Sequence, residues 1–172
     1  VLFRSGGLPL PSLDERKRER GAVMETRSRY ELTIPVTVEF EDIDSYQIVH
    51  HTKLVAYLER ARLRLLTGMG AELSLEGLAP VLYELQMRFR KPARLLDQLE
   101  VTAFVRDFDD YQLALGYRIL RGGETLVRAS SVIAFADLEK GTLTTLPGEL
   151  RRTLESRAAL EAEGRVEQQL AE

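Results

Sequence analysis

The sequence predicts an α+β fold in which one long, largely buried helix packs on an antiparallel sheet. Three observations carry this. Apolar residues alternate over 30–40, the period of a strand, and from about Thr52 the period becomes that of a helix. Four more strand-like segments then follow, separated by hairpin-type turns. Strands joined without crossover helices pair antiparallel, and a single helix laid on such a sheet gives the α+β class. A length of 172 residues favours one domain and permits a core without metal or disulfide staples.

The composition excludes several function classes. Charged residues make up 30% and the net charge is −3, so no basic excess points to nucleic acid or to a membrane surface. The chain has no cysteine, which rules out disulfides, thiolate metal sites and cysteine nucleophiles. No apolar run reaches the roughly 18 residues of a membrane span, and the N-terminus has no signal-peptide core. A cytoplasmic protein with no nucleic-acid partner and no membrane span is expected.

Residues 1–27 are expected to be a disordered leader. Gly6-Gly7, Pro9 and Pro11 precede the charge run Asp14–Arg20, with no apolar period. Met24 is a candidate native start, which would make the preceding residues foreign to the protein. The domain proper is placed at 28–148. Its first strand is Tyr30–Phe40, with Tyr30, Leu32, Ile34, Val36, Val38 and Phe40 on one face. Pro35 lacks an N–H, so this strand belongs at a sheet edge. The helix follows, with Leu54, Tyr57, Leu58, Ala61 and Leu65 on its buried face, Thr52 as its cap and Gly68 and Gly70 as its stop. Ala71–Leu78 is expected to form a short second helix. Strands are expected at Val81–Arg90, Leu99–Phe108, Tyr111–Leu120 and Glu124–Asp137, with turns at Asp107–Asp110 and Arg121–Gly123. Residues 149–172 read as a C-terminal helix, starting near Pro147, and a frayed tail. Five strands around one helix leave an edge to cover, so a dimer is expected.

The residues capable of chemistry cluster in one place. Asp42 and Asp44 stand at the end of the first strand, two apart, so that their side chains point the same way in an extended chain. His50 and His51, the only histidines, follow at the helix entry. Backbone N–H groups and the helix dipole there favour negative charge, which suits a carboxylate working beside an oxygen that becomes an oxyanion. Adjacent histidines make poor ligands for one ion, so a metal is not expected. No Gly-x-Ser-x-Gly turn supports a serine nucleophile. Ser130 and Ser131 read as hydrogen-bonding groups of a core strand, Gly122-Gly123 as a hairpin turn, and the aspartates of 107–110 as a solvated turn.

Asp44, Val49-His50-His51 and Tyr57-Leu58-Glu59-Arg60-Ala61-Arg62 together resemble the 4-hydroxybenzoyl-CoA thioesterase family of hotdog-fold proteins. The closer likeness is to its acyl-CoA thioesterase branch associated with the bacterial Tol–Pal cluster. Phe89–Leu99, with Pro92-Ala93 and Asp97, is similar to a second family motif. The resemblance covers about residues 30–148. It implies a curved five-stranded antiparallel sheet wrapped around the long helix, a homodimer or homotetramer, and hydrolysis of an acyl-CoA or acyl-carrier-protein thioester without a cofactor. It implies Asp44 as nucleophile or general base, His51 as its acid/base partner, and an amide at or near His51 as the oxyanion donor. Tyr46, Gln47, Val49, His50 and Tyr57 are expected to line the substrate site, Asp42 to be a turn or supporting acid, and Glu59 to make a salt bridge.

The chain departs from the family pattern at three places. Ser45-Tyr46-Gln47 stands where small residues with glycine are usual, Lys53-Leu54 replaces Asn-Tyr, and Phe40 stands where the branch often has tyrosine. These departures keep alive an alternative function, an acyl-thioester-binding hotdog protein that does not hydrolyse its ligand, as a sensor or an assembly subunit. A hotdog dehydratase or hydratase would need its own acid–base motif, which is not found.

Overall fold

The computed structural model describes residues 30–71 and 77–156. In chain order it contains β1 (Glu31–Thr37), a 3-10 turn (Phe40–Asp42), α1 (His51–Gly68), β2 (Leu78–Phe89), β3 (Gln98–Phe108), β4 (Gln112–Arg121), β5 (Glu124–Asp137) and β6 (Thr142–Thr144). Residues 148–156 are helical. The sheet runs β1-β3-β4-β5-β2, with β6 also on β5, and every pairing is antiparallel. One long helix on a five-strand sheet is the hotdog arrangement, here with β6 as a short sixth strand.

The local chemistry accounts for each element. β1 is an edge strand, where the missing N–H of Pro35 costs no ladder bond on its open side. Leu54, Tyr57, Leu58, Ala61, Leu65 and Leu66 of α1 are buried in one cluster with Leu99, Val101, Leu115 and Ile133 of the sheet. The helix stops where the glycines predict it. Gly70 has φ +82°, its N–H donates to the Thr67 carbonyl, and the Ala71 N–H donates to that of Leu66. These are the two bonds of a Schellman cap. Gly122 and Gly123, both at positive φ, close the β4–β5 hairpin. Irregularities in register at Leu82/Glu84, Val105/Asp107 and Ile119/Leu120 supply the local bends that let a sheet curl.

Several details differ from the sequence expectation. β1 ends at Thr37, and the chain turns through the 3-10 segment. Phe40 is therefore 82% exposed instead of sharing the apolar face of β1. The helix cap is His50, with α1 beginning at His51 and not after Thr52. Leu78 opens β2. Most of the predicted short helix, 72–76, lies outside the described residues, as do residues 1–29, which take in the whole expected leader of 1–27, and residues 157–172. Arg62 of α1 is buried.

Candidate active site

Asp42 is the last residue of the 3-10 turn, and Asp44 lies beyond it. Because the strand has already ended, they do not point the same way. Asp42 is turned inward and is 4% exposed. Its Oδ2 accepts from the Tyr57 hydroxyl at 2.6 Å and the Glu39 N–H at 3.0 Å. Its Oδ1 lies 3.2 Å from the Lys53 ammonium. Burial pushes the Asp42 carboxyl up, but the Tyr57 hydroxyl, the Glu39 N–H and Lys53 together outweigh it and hold the group below its ordinary range. The same contact appears from the other side: burial first, then the bond to Asp42, pushes the Tyr57 hydroxyl far up. Tyr57 is 1% exposed, and the Arg60 guanidinium lies over its ring at 5.6 Å.

Asp44 sits two residues further on, half-buried, at the start of a tight excursion. Its N–H donates to the Ile48 carbonyl and its carbonyl accepts from the Gln47 N–H. Its Oδ1 accepts from the Tyr46 N–H at 2.8 Å, an Asx-type turn. Oδ2 has no hydrogen-bond partner among the described residues. An antiparallel bridge between Ile43 and Val49 closes the excursion. Gln47 takes φ 58°, the left-handed backbone for which glycine is the usual residue. Tyr46 at the tip is 82% exposed.

The excursion leads directly into α1. The His50 N–H donates to the Asp42 carbonyl at 2.9 Å. His50 then caps the helix: its Nδ1 accepts from the Thr52 N–H at 3.4 Å and lies 2.7 Å from the Thr52 hydroxyl. The His50 carbonyl accepts from the N–H groups of Lys53 and Leu54. Among the described residues, the His51 N–H alone in this first turn has no acceptor. The His50 and His51 rings stack with centroids 4.1 Å apart. No hydrogen bond joins Asp44 to either histidine among the described residues. His51 and Gln47 are exposed, His50 is half-buried and Val49 is buried.

The second motif braces the first. The Val49 N–H donates to the Ala93 carbonyl at 2.9 Å, Val38 N–H to the Asp97 carbonyl, and Leu96 N–H to the Val38 carbonyl. Asp97 is anchored in turn by the Arg94 N–H at 2.8 Å and the Arg121 guanidinium at 2.6 Å. These donors overcome the upward push of burial and lower its carboxyl. Lys91 pairs with Glu124, and Arg94 is exposed. Glu59 pairs with Arg62 at 3.2 Å, as expected. Ser131 is buried and lies 2.8 Å from the Tyr117 hydroxyl, so it is a core group. Asp109 accepts from the N–H groups of Tyr111 and Gln112, which makes it a turn residue.

Asp42, expected to be a turn or supporting acid, stands in the 3-10 turn, and its bond to Tyr57 is the contact the sequence reading did not name. A signal was present. Tyr57 lies on the buried face of the helix, and a buried tyrosine needs a partner for its hydroxyl. The acid pair at the end of the preceding strand is one candidate in the sequence.

Comparison with known proteins agrees with this architecture. The chain is similar to the acyl-CoA thioester hydrolase YbgC of Escherichia coli O6:H1, at 31% identity over 102 residues, covering 58% of this chain and 76% of that protein. The acyl-CoA thioesterase YbgC of Haemophilus influenzae is 28% identical over 123 residues, covering 69% and 90%. Among solved structures, the DHNA-CoA thioesterase from Staphylococcus aureus superposes with a TM-score of 0.72 at 15% identity, over 78% of this chain and 95% of that one. Its likeness is one of fold. The family model of the thioesterase-like superfamily matches residues 38–154, which takes in the Asp44 excursion, the helix and the bracing motif, and the chain belongs to that superfamily.

Proposed function

We propose that the protein hydrolyses an acyl-CoA or acyl-carrier-protein thioester at the mouth formed by the Asp44 excursion and the start of α1. One observation carries the reading: a carboxylate with an oxygen uncommitted among the described residues stands on a loop that ends in a helix whose first N–H has no acceptor among them. The family membership and the names of the two YbgC relatives supply the substrate class. The thioester carbonyl oxygen takes the His51 N–H, where the dipole of an 18-residue helix adds to the bond. Asp44 then attacks the carbonyl carbon, or removes a proton from the water that does. The carbon–sulfur bond breaks and the thiolate leaves, gaining a proton that comes from water by way of Asp44 or the His51 ring. In the nucleophilic route water then cleaves the acyl–Asp44 anhydride, which releases the acid and restores the carboxylate. Tyr46, Gln47, Val49 and His50 border the acyl group. Tyr57 contributes through Asp42.

A second copy of the chain fits the same reading. β2 is an edge strand that exposes Leu82, Tyr83 and Phe89, and an apolar open edge favours pairing.

The test is a panel of acyl-CoA thioesters assayed with the protein and with Asp44→Asn. Turnover by the wild type and a loss of about a hundredfold or more in the variant are expected. Equal rates would remove Asp44 from the chemistry. The alternative, binding without hydrolysis, draws on the bulk of Tyr46 and on Gln47 in a glycine-type conformation. Saturable acyl-CoA binding with no thiol release would select it.

A further inference from the structure

We propose that Asp42 is a positioning residue for the Asp44 chemistry, held by Tyr57 and Lys53 so that the Asp44 loop and the helix N-terminus keep one relative geometry. The inference rests on the hydrolytic reading given above and assigns it a second acid.

The placement of the bonds is the main support. Asp42 uses its backbone and its side chain to join three parts of the fold. Its N–H donates to the Glu39 carbonyl and its Oδ2 accepts from the Glu39 N–H, which locks the end of the β1 segment. Its carbonyl accepts from the N–H of the cap residue His50. Its carboxylate reaches Lys53 in the first turn of α1 and Tyr57 in the second. Asp44 lies only two residues away, inside the loop that the Ile43–Val49 bridge closes. Any tilt of the helix start relative to the Asp44 loop must stretch one of these contacts.

The residue types argue against simple packing. A buried carboxylate is costly to desolvate and survives in a core only when fully partnered. A phenylalanine–leucine contact would fill the same space without that cost. Lys53 is also unexpected on electrostatic grounds, because a cation in the first turn opposes the helix dipole. Its ion pairs with Asp42 and Glu41, at 3.2 and 3.4 Å, account for its presence. A loop carrying a reacting group needs such fixation, since a misplacement of about 1 Å can cost on the order of a hundredfold in rate.

The experiment is steady-state hydrolysis of a thioester that the wild type turns over. The full chain is compared with Tyr57→Phe, Asp42→Asn, their double variant, Lys53→Met and Lys53→Arg, each checked by circular dichroism at the assay temperature. In folded Tyr57→Phe, kcat should fall about tenfold or more while KM stays within about threefold, the pattern of lost positioning. Asp42→Asn should fall at least as far, and the double variant no further, because the two groups act as one unit. Lys53→Met has its change at a partly exposed side chain and remains testable if the buried variants do not fold. It should lose several-fold in kcat, and Lys53→Arg should retain activity. Folded variants with wild-type kcat, beside an inactive Asp44→Asn, would overturn the positioning role alone. A wild type that turns over no thioester, with Asp44→Asn indistinguishable from it, would overturn the hydrolytic reading and this inference with it.

Discussion

Replacing Tyr57 by phenylalanine should destabilise the fold by a pH-dependent amount. The substitution removes one oxygen from a site with 1% exposure and leaves the ring in place. The lost bond is a 2.6 Å contact to a buried carboxylate, and hydrogen bonds to charged groups contribute about 1.5–3 kcal/mol. Glu39 N–H and Lys53 still serve Asp42, so a loss of about 2 kcal/mol at neutral pH is expected. For a chain of this length that is a drop in Tm of roughly 4–8 °C. The sign with pH follows from Asp42. Its folded-state carboxyl titrates below the ordinary value, so its contribution is fully present above the unfolded pKa, near 4. That contribution is lost as pH falls through the depressed folded value. In Tyr57→Phe the push from burial is less well opposed, the folded value rises, and the loss begins at higher pH. Thermal unfolding of both proteins from pH 7 to pH 3, at one protein concentration because association shifts Tm, should show the gap narrowing as pH falls. A gap of the same size at both ends would refute the charge-assisted bond as its source. A gap within error at pH 7 would refute the bond altogether.

Other substitutions probe the frame around the site. Gly116→Ala would put a Cβ 2.3 Å from the Phe104 ring, and the resulting shift should cost about 1–3 kcal/mol in urea unfolding. Phe104→Leu in the same chain should recover part of that loss, and equal losses with and without it would exclude the ring as the obstacle. Gln47→Gly should leave stability unchanged or raise it by up to about 1 kcal/mol, because glycine relieves the left-handed backbone but adds chain entropy. Gln47→Val should lower stability by about 1–3 kcal/mol, and equal Tm values for the two would dismiss backbone strain at this position. Tyr117→Phe and Ser131→Ala should each cost about 1 kcal/mol, and the double variant should cost less than their sum, since the two hydroxyls satisfy each other at 2.8 Å.

The legible parts of the sequence are those governed by long repeats of one period. β3, β4 and β5 alternate or run apolar between clear turn residues, and their predicted ranges differ from the observed ones by at most a residue at either end. The apolar face of α1 was visible because five residues at helical spacing outvote any local exception. Boundaries were harder where a pattern continues past its structural cause. Phe40 extends the alternation of β1, yet the capping pair of Glu39 and Asp42 winds the chain into a 3-10 turn and turns Phe40 outward. The cap of α1 was missed because histidine is not among the common capping residues, and Thr52 two positions later is. β6 has three residues, too few to carry any period. Arg62 is buried beside Glu59: it lies four residues from both Leu58 and Leu66 of the buried face, and its charge conceals that position from a reading of apolar residues alone.

The pair of acids shows how much one turn can decide. Two residues apart on a strand, Asp42 and Asp44 would share a face and repel each other. The 3-10 turn instead sends Asp42 inward, where Tyr57, Glu39 and Lys53 hold its charge, and leaves Asp44 on the loop with one oxygen uncommitted among the described residues. The same division sets the field at the helix entry. Lys53 would add positive charge beside the His51 N–H and attract any anion there, but Asp42 and Glu41 take it up. In the proposed mechanism the amide and the helix dipole are then the local groups that favour a developing oxyanion, and they favour it by position. On that proposal Asp42 acts on the site twice, by fixing its geometry and by pairing with the lysine of the first turn of α1.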